Sequence, residues 1–281
     1  QSTGFPLVEI KSESGGEELL WSYAELLHWD RFHQETHAET LFGDLYIATQ
    51  GRQEWQTCFP RAFRYVWIVF RNLRSPITIL RLGFVRTSYP ITQKASFECS
   101  DDRLNRVWQV SLDTLANAMA ADAYVDSFRE RAQWWGTGVI APIRFNAYMG
   151  ADLALARRGL RQAAQSQRTD GQIMANFPNR VHVPADSGER VGLVVPDISL
   201  QWVLTLWDYY WYSGDAAPLS EHWPALERRL AWYETKLDDN YLLRPIRDHW
   251  VFIDWKLLRR LNERAQTASL SFHKSTLRCR L

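Results

Sequence analysis

The sequence predicts an α+β chain: an antiparallel β-sandwich over residues 1–99, then helical pairs over residues 100–281 that suit part of an α/α barrel, or helical toroid. Three observations carry this expectation. Up to about residue 98, short runs rich in β-branched and aromatic residues alternate with clusters of Gly, Pro, Asn and Ser. Near Ser100 the apolar period lengthens to that of a helix. Beyond that point amphipathic stretches recur between loops that hold Pro178, Pro184, Pro196, Gly214, Pro218 and Pro245.

Taken in order, the strand candidates are VEI (8–10), ELLWSYAELL (18–27), DLYIA (44–48), FRYVWIVF (63–70) and ITILRLGFVRTSY (77–89). Asn72, Ser75 and Pro76 supply a turn between the last two. ELLWSYAELL also fits a short helix, because Leu19, Leu20, Tyr23, Leu26 and Leu27 recur at helical spacing. Leu104, Val107, Trp108, Leu112, Leu115 and Met119 then share one helical face, with Ser100 as N-cap and Asp101 and Asp102 favourable to the helix dipole. Further helices are expected over 138–165, 198–212, 219–237 and 256–271. That makes five or six, where a complete toroid of six pairs has about 12 at the usual helix length. No fixed-period solenoid repeat is present.

Composition narrows the function classes. Lys and Arg total 33 against 32 acidic residues, so no field draws the chain to nucleic acid or to an acidic membrane. No apolar run approaches the roughly 20 residues of a membrane span, and the N-terminus QSTGFPLVEI lacks the basic and apolar regions of a leader. A soluble chain is expected, with its compartment open between cytoplasm and periplasm or exterior. Cys58, Cys99 and Cys279 are far apart and without CxxC spacing, which suits free thiols. No GxxxxGK[ST], GxGxxG or GxSxG motif occurs, so neither a nucleotide cofactor nor a serine nucleophile is indicated. His28, His33 and His37 lack an accompanying carboxylate set and read as loop residues rather than a metal site. No cofactor and no metal are expected.

The chain has 14 Trp, 11 Tyr and 13 Phe. Aromatic faces stack on sugar rings, and they also fill large helical cores. Composition leaves both open. The segment DSFRERAQWWG, residues 126–136, is more pointed. Asp126, Arg129, Glu130 and Arg131 alternate in sign, and Trp134 and Trp135 follow. A carboxyl against indole in a dry pocket is held protonated near neutral pH, as a general acid requires, while a neighbouring arginine pulls the other way. The same residues could form an ion-pair cluster on a helix, with both tryptophans in a core. Asp186, Glu189 and Arg190, in the loop VPADSGERVG, could border a pocket but read more simply as a solvated turn, and Asp238 and Asp239 as a polar loop.

The longer run LNRVWQVSLDTLANAMAADAYVDSFRERAQWWG, residues 104–136, resembles the corresponding stretch of bacterial α-L-rhamnosidases, glycoside hydrolase family 78. DLYIATQGRQEWQTCFPRAFRYVWIVF (44–70), VPDISLQWVLTLWDYYWYSGD (195–215) and HWVFIDW (249–255) are similar to further segments of that family. The resemblance implies a β-sandwich before a six-hairpin (α/α)6 barrel and an inverting hydrolysis of terminal α-L-rhamnosyl residues. It implies Glu130 as general acid, and Asp126, Arg129, Trp134, Trp135, Asp197, Trp202, Asp254 and Trp255 as substrate-binding residues. Asp197, Asp254 and Trp255 are placed by it in loops facing the pocket. The implied partner is a carbohydrate with terminal rhamnose, with self-association left open.

The sequence departs from the family pattern in three places. Asp126 stands four rather than five positions before Glu130. Thr137 occupies a position where the family carries an acid. The family's general base, a glutamate, belongs to a later part of the barrel than this chain reaches. Weak or absent turnover by these residues alone is therefore expected, and a non-catalytic carbohydrate-binding or degenerate relative is the alternative.

Overall fold

The computed structural model describes residues 2–32, 36–37, 40–41, 43–91, 94–119, 123–125, 133–134, 137–150, 152–177, 181–182, 191–192 and 194–240. These form antiparallel sheets and five helices, in two compact units. One is built on the strands up to Pro90 with the part of α1 (Asp102–Ala118) from Leu112 onward. The other holds Ile91–Ser111 and the elements from Gln133 onward.

In the first unit, β1 (Ser2–Ser12) and β2 (Glu18–Ala24) are the central strands of two sheets. Two small ladders follow, β3 (Leu27–His28) with β4 (Arg31–Phe32) and β5 (Thr36–His37) with β6 (Thr40–Leu41). The remaining strands are β7 (Gly43–Ile47), β8 (Gly51–Gln56), β9 (Arg61–Phe63), β10 (Tyr65–Arg71) and β11 (Thr78–Arg86). One sheet runs β11-β1-β8, with β9 also on β1, and the other runs β10-β2-β7, every pairing antiparallel. Val8 and Ile10 from the first sheet meet Leu19, Trp21 and Tyr23 from the second, with Ala48 and Phe63 completing a buried core. This is the expected sandwich.

The ambiguous ELLWSYAELL is a strand from Glu18 to Ala24. Leu19, Trp21 and Tyr23 alternate into the core, so the two-residue period prevails over the helical spacing. Leu26, which helical spacing needs inside, is exposed. The single run FRYVWIVF divides at Arg64, where the chain leaves one sheet for the other: Phe63 pairs with Ser2, and Tyr65 with Ala24. β8 was not expected, because GRQEWQ is polar. Trp55 alone among its side chains is aromatic, and it stacks on Tyr46 with ring centroids 5.1 Å apart. Asn72, in the expected turn, has φ 55°, a left-handed conformation that asparagine tolerates.

In the helical region, α1 is capped by Asp101 rather than Ser100: the Arg103 N–H donates to Asp101 Oδ1 at 2.9 Å. Its apolar face divides, with Leu112, Leu115 and Met119 buried and Leu104 and Val107 51% and 60% exposed. The expected helix over 138–165 is two helices, α2 (Thr137–Met149) and α3 (Ala154–Gln165), with β12 (Gln133–Trp134) ahead of them. Across the break, the buried Asn146 amide donates to the Asp152 carbonyl and to Tyr124 Oη. Three further two-residue strands follow, β13 (Asn176–Phe177), β14 (Val181–His182) and β15 (Val191–Gly192), then α4 (Pro196–Ser213) and α5 (Ala217–Glu234). Gly214, at φ 71°, ends α4 by donating its N–H to the Tyr210 carbonyl. Asp215 Oδ1 accepts the Ala217 N–H at the start of α5, and that bond holds the Asp215 carboxyl below its ordinary range. The helix expected over 256–271 lies outside the described residues. No described helix is long and apolar enough to cross a membrane.

Candidate functional site

The DSFRERAQWWG stretch is held at both ends by described structure. Before it, Tyr124 and Val125 are buried, and Tyr124 Oη accepts from Asn146 on α2 at 3.1 Å. Within its second half, β12 pairs antiparallel with β13, Gln133 opposite Phe177 and Trp134 opposite Asn176. Three residues later α2 begins. Asp126, Arg129, Glu130 and Trp135 lie outside the described residues, as do Asp186, Glu189, Arg190, Asp254 and Trp255.

The direction of two helices relates the start of α2, which follows β12, to the first turn of α4. Arg144 on α2 donates to Asp208 on α4, Nε to Oδ2 at 2.9 Å and Nη2 to Oδ1 at 3.4 Å. One turn further along both helices, the Tyr148 and Tyr212 hydroxyls meet at 3.2 Å. Each pair is separated by 64 residues, so α2 and α4 run side by side in the same direction. Their N-terminal ends therefore point the same way. At that offset Thr137 stands level with Gln201, and the first turn of α4 extends beyond the start of α2, toward the end at which β12 enters. Asp197, the second residue of α4, belongs to that turn, in a helix rather than the expected loop.

Trp202, one turn further on, is wholly buried. Its indole N–H donates to the Leu160 carbonyl at 3.1 Å, and its ring lies 6.2 Å from that of His222. Burial pushes the His222 imidazole below its usual range, while nearby Glu221 opposes the shift. Trp202 is thus a packing residue of α3 and α4.

Sequence reasoning missed the group that fixes the start of α4. Arg229 on α5 is fully buried. Its Nη2 donates to the Pro196 carbonyl at 3.2 Å, to Tyr233 Oη at 2.5 Å and to Ser199 Oγ, and its Nη1 donates to Gln172 Oε1. Tyr233 Oη in turn donates to the Pro196 carbonyl. The guanidinium also lies over the Tyr233 and Trp232 rings, at 4.4 and 5.2 Å from their centroids. Burial lowers the pKa of this guanidinium, and the Tyr233 hydroxyl counters it. The run ERRLAWYE reads as one amphipathic helix, and only the i, i+4 spacing of Arg229 and Tyr233 hinted that one arginine faces inward. Among the described residues no cluster of three His, Cys, Asp or Glu could hold a metal ion.

Residues 92–275 match the family described as the bacterial alpha-L-rhamnosidase 6 hairpin glycosidase domain. Among solved structures, the chain is similar to the GH78 family rhamnosidase of Bacillus sp. GL1, with TM-score 0.77 and 22% identity over 99% of this chain and 29% of that one. It is similar to the rhamnosidase from Klebsiella oxytoca with rhamnose bound, with TM-score 0.76 and 20% identity over 99% and 59%. It is also similar to the Streptomyces avermitilis alpha-L-rhamnosidase complexed with L-rhamnose, with TM-score 0.68 and 21% identity over 98% and 26%. At such identities the likeness is one of fold, and this chain spans less than two thirds of the length of each. No curated protein matches it.

Proposed function

Since the chain belongs to the bacterial α-L-rhamnosidase six-hairpin glycosidase family, we propose that it serves the inverting hydrolysis of terminal α-L-rhamnosyl residues. Glu130 is the general acid that protonates the leaving oxygen. A second carboxylate, roughly 6.5–9.5 Å away, activates water on the opposite face of the sugar. Asp126, Arg129 and Asp197 hold sugar hydroxyls, Trp134 and Trp135 offer aromatic faces, Asp254 and Trp255 border the same pocket, and Trp202 backs it from the core. The sandwich occupies residues 1–99 and the barrel portion residues 100–281.

The observation that carries this reading is the shared polarity of α2 and α4. It brings the end at which the DSFRERAQWWG stretch enters to the same side as the first turn of α4, so motifs about 60 residues apart can serve one site. An indole face beside the carboxyl of Glu130 disfavours its ionised form and suits it to donate a proton.

The test is hydrolysis of an aryl α-L-rhamnoside by the purified chain and by Glu130→Gln, beside calorimetry with L-rhamnose. Turnover reduced by about 10²-fold or more in the variant supports the acid role. Rhamnose binding without turnover favours a non-catalytic carbohydrate-binding protein. Turnover equal in both proteins removes Glu130 from the mechanism.

A further inference from the structure

We propose that Arg229 and Tyr233 are positioning residues for the sugar site: from α5 they set the first turn of α4 and, through it, the backbone of Asp197. The role rests on the reading of Asp197 as a sugar ligand given above.

The argument begins from the cost of burial. Arg229 is fully buried, and among the described residues its hydrogen bonds go to neutral oxygens only: the Pro196 carbonyl, Ser199 Oγ, Gln172 Oε1 and Tyr233 Oη. Its Nε has no partner among the described residues. An apolar side chain of similar volume would fill the same space without desolvating a charge. What the guanidinium adds is direction, because its planar fork fixes several acceptors relative to one another.

Those acceptors are not spread evenly. Two of them, the Pro196 carbonyl and Ser199 Oγ, stand on either side of Asp197 in the sequence. The Pro196 carbonyl takes hydrogen bonds from Arg229, from Tyr233 and from Ser199 Oγ, the last at 2.9 Å. Ser199 therefore accepts from Arg229 and donates to Pro196, closing a ring of contacts around the turn. Proline at the first position already restricts the backbone there. The turn is thus fixed from within by proline and from α5 by two side chains.

The other end of the fork reaches the loop after α3. Gln172 accepts from Nη1, and the adjacent Gly171 lies so close to α5 that a Cβ would stand 2.5 Å from the Arg228 carbonyl oxygen. Arg229 therefore sets the α4 turn against a loop that is itself pressed onto α5. A displacement of this kind at a binding residue changes affinity without removing any group that touches the ligand.

The test uses Tyr233→Phe, which removes one oxygen and keeps the ring, and Arg229→Lys, which keeps the charge and loses the fork. Gln167→Ala is the control, since Gln167 ties the same loop to α5 through the Ala225 carbonyl and Arg228 without reaching the α4 turn. The readouts are Kd for L-rhamnose by calorimetry, Tm, and amide hydrogen exchange over residues 197–200. The expected result for Tyr233→Phe is a rise in Kd of about tenfold with faster exchange in that turn, while Gln167→Ala lowers Tm and leaves Kd unchanged. Arg229→Lys, where it folds, follows Tyr233→Phe. Rhamnose binding that Tyr233→Phe leaves intact overturns the positioning role alone. Failure of the parent chain to bind rhamnose overturns the sugar reading and this role with it.

Discussion

The indole N–H of Trp202 on α4 donates to the backbone carbonyl of Leu160 on α3 across 3.1 Å, inside the helical core. A wholly buried tryptophan with a satisfied polar tip contributes through packing and through that bond together. Trp202→Ala is expected to destabilise the chain by about 3–5 kcal/mol. Trp202→Phe, which loses the bond and part of the ring, is expected to cost about 1–3 kcal/mol. Urea denaturation followed by circular dichroism measures both. Rhamnose affinity unchanged in a folded Trp202→Phe is the result expected of a packing residue, and a loss of affinity would return Trp202 to the proposed sugar ligands.

A second pair links the two sheets of the sandwich. Arg61 on β9 meets Asp44 on β7 in a two-pronged ion pair, Nε to Oδ2 at 2.9 Å and Nη2 to Oδ1 at 2.6 Å, with the Arg61 side chain 3% exposed. The same guanidinium lies 5.6 Å from the Tyr23 ring centroid, and burial drives the Tyr23 phenol well above its ordinary range. Removing the carboxylate takes away two charge-assisted bonds from a buried cation. Asp44→Ala is accordingly expected to cost about 3–5 kcal/mol, and Arg61→Met with Asp44→Leu much less than the sum of the two single changes. A double-mutant cycle by chemical denaturation gives the coupling.

How far the sequence alone reached follows from where burial is local and where it is not. Strands β10 and β11 were legible because their apolar residues are dense, and α4 because Pro196 and Gly214 punctuate it. β8 was hidden because it is an edge strand whose half-buried face carries polar Gln53 beside Trp55, so its alternation leaves little apolar signal. The cap of α1 shifted by one residue because aspartate and serine stood side by side, and nothing local says which side chain turns toward the helix. Of the candidate site, the sequence offered the motif but neither the Tyr124–Asn146 bond before it nor the β12–β13 pairing. The parallel run of α2 and α4 was not legible either, since Arg144 and Asp208 find each other only through tertiary packing across 64 residues. Arg229 was invisible for the same reason: a buried and a solvated arginine look alike in a run such as ERRL.

His222 gives the helical region a pH response whose sign follows from burial. Its folded pKa lies below the ordinary value of 6.5 because the neutral ring is favoured in the core. In the window between 6.5 and that lower value the unfolded chain binds more protons than the folded one. Stability is therefore full above about pH 6.5 and declines as the pH falls toward the folded pKa. His222→Gln is expected to flatten this decline. Tm recorded from pH 7.5 down to pH 5 for both proteins tests it, and curves that stay parallel would exclude His222 as the source.

Gly171 and Gly214 allow the cost of a left-handed residue to be separated from the cost of a clash. Both have positive φ, 90° and 71°. A Cβ at Gly214 would meet no atom within 4 Å, so Gly214→Ala bears the conformational term alone, about 1 kcal/mol. A Cβ at Gly171 would stand 2.5 Å from the Arg228 carbonyl oxygen and 3.1 Å from its carbon, both backbone atoms of α5 that cannot rotate aside. Gly171→Ala is expected to cost about 2 kcal/mol or more beyond Gly214→Ala. Because Gln172 is the next residue and accepts from Arg229, a loop that moves off α5 to relieve the clash draws Gln172 away from that guanidinium. Faster amide exchange in the first turn of α4 should therefore accompany Gly171→Ala and be absent from Gly214→Ala, even though Gly214 lies in the same helix's C-terminal cap and Gly171 does not belong to the helix at all.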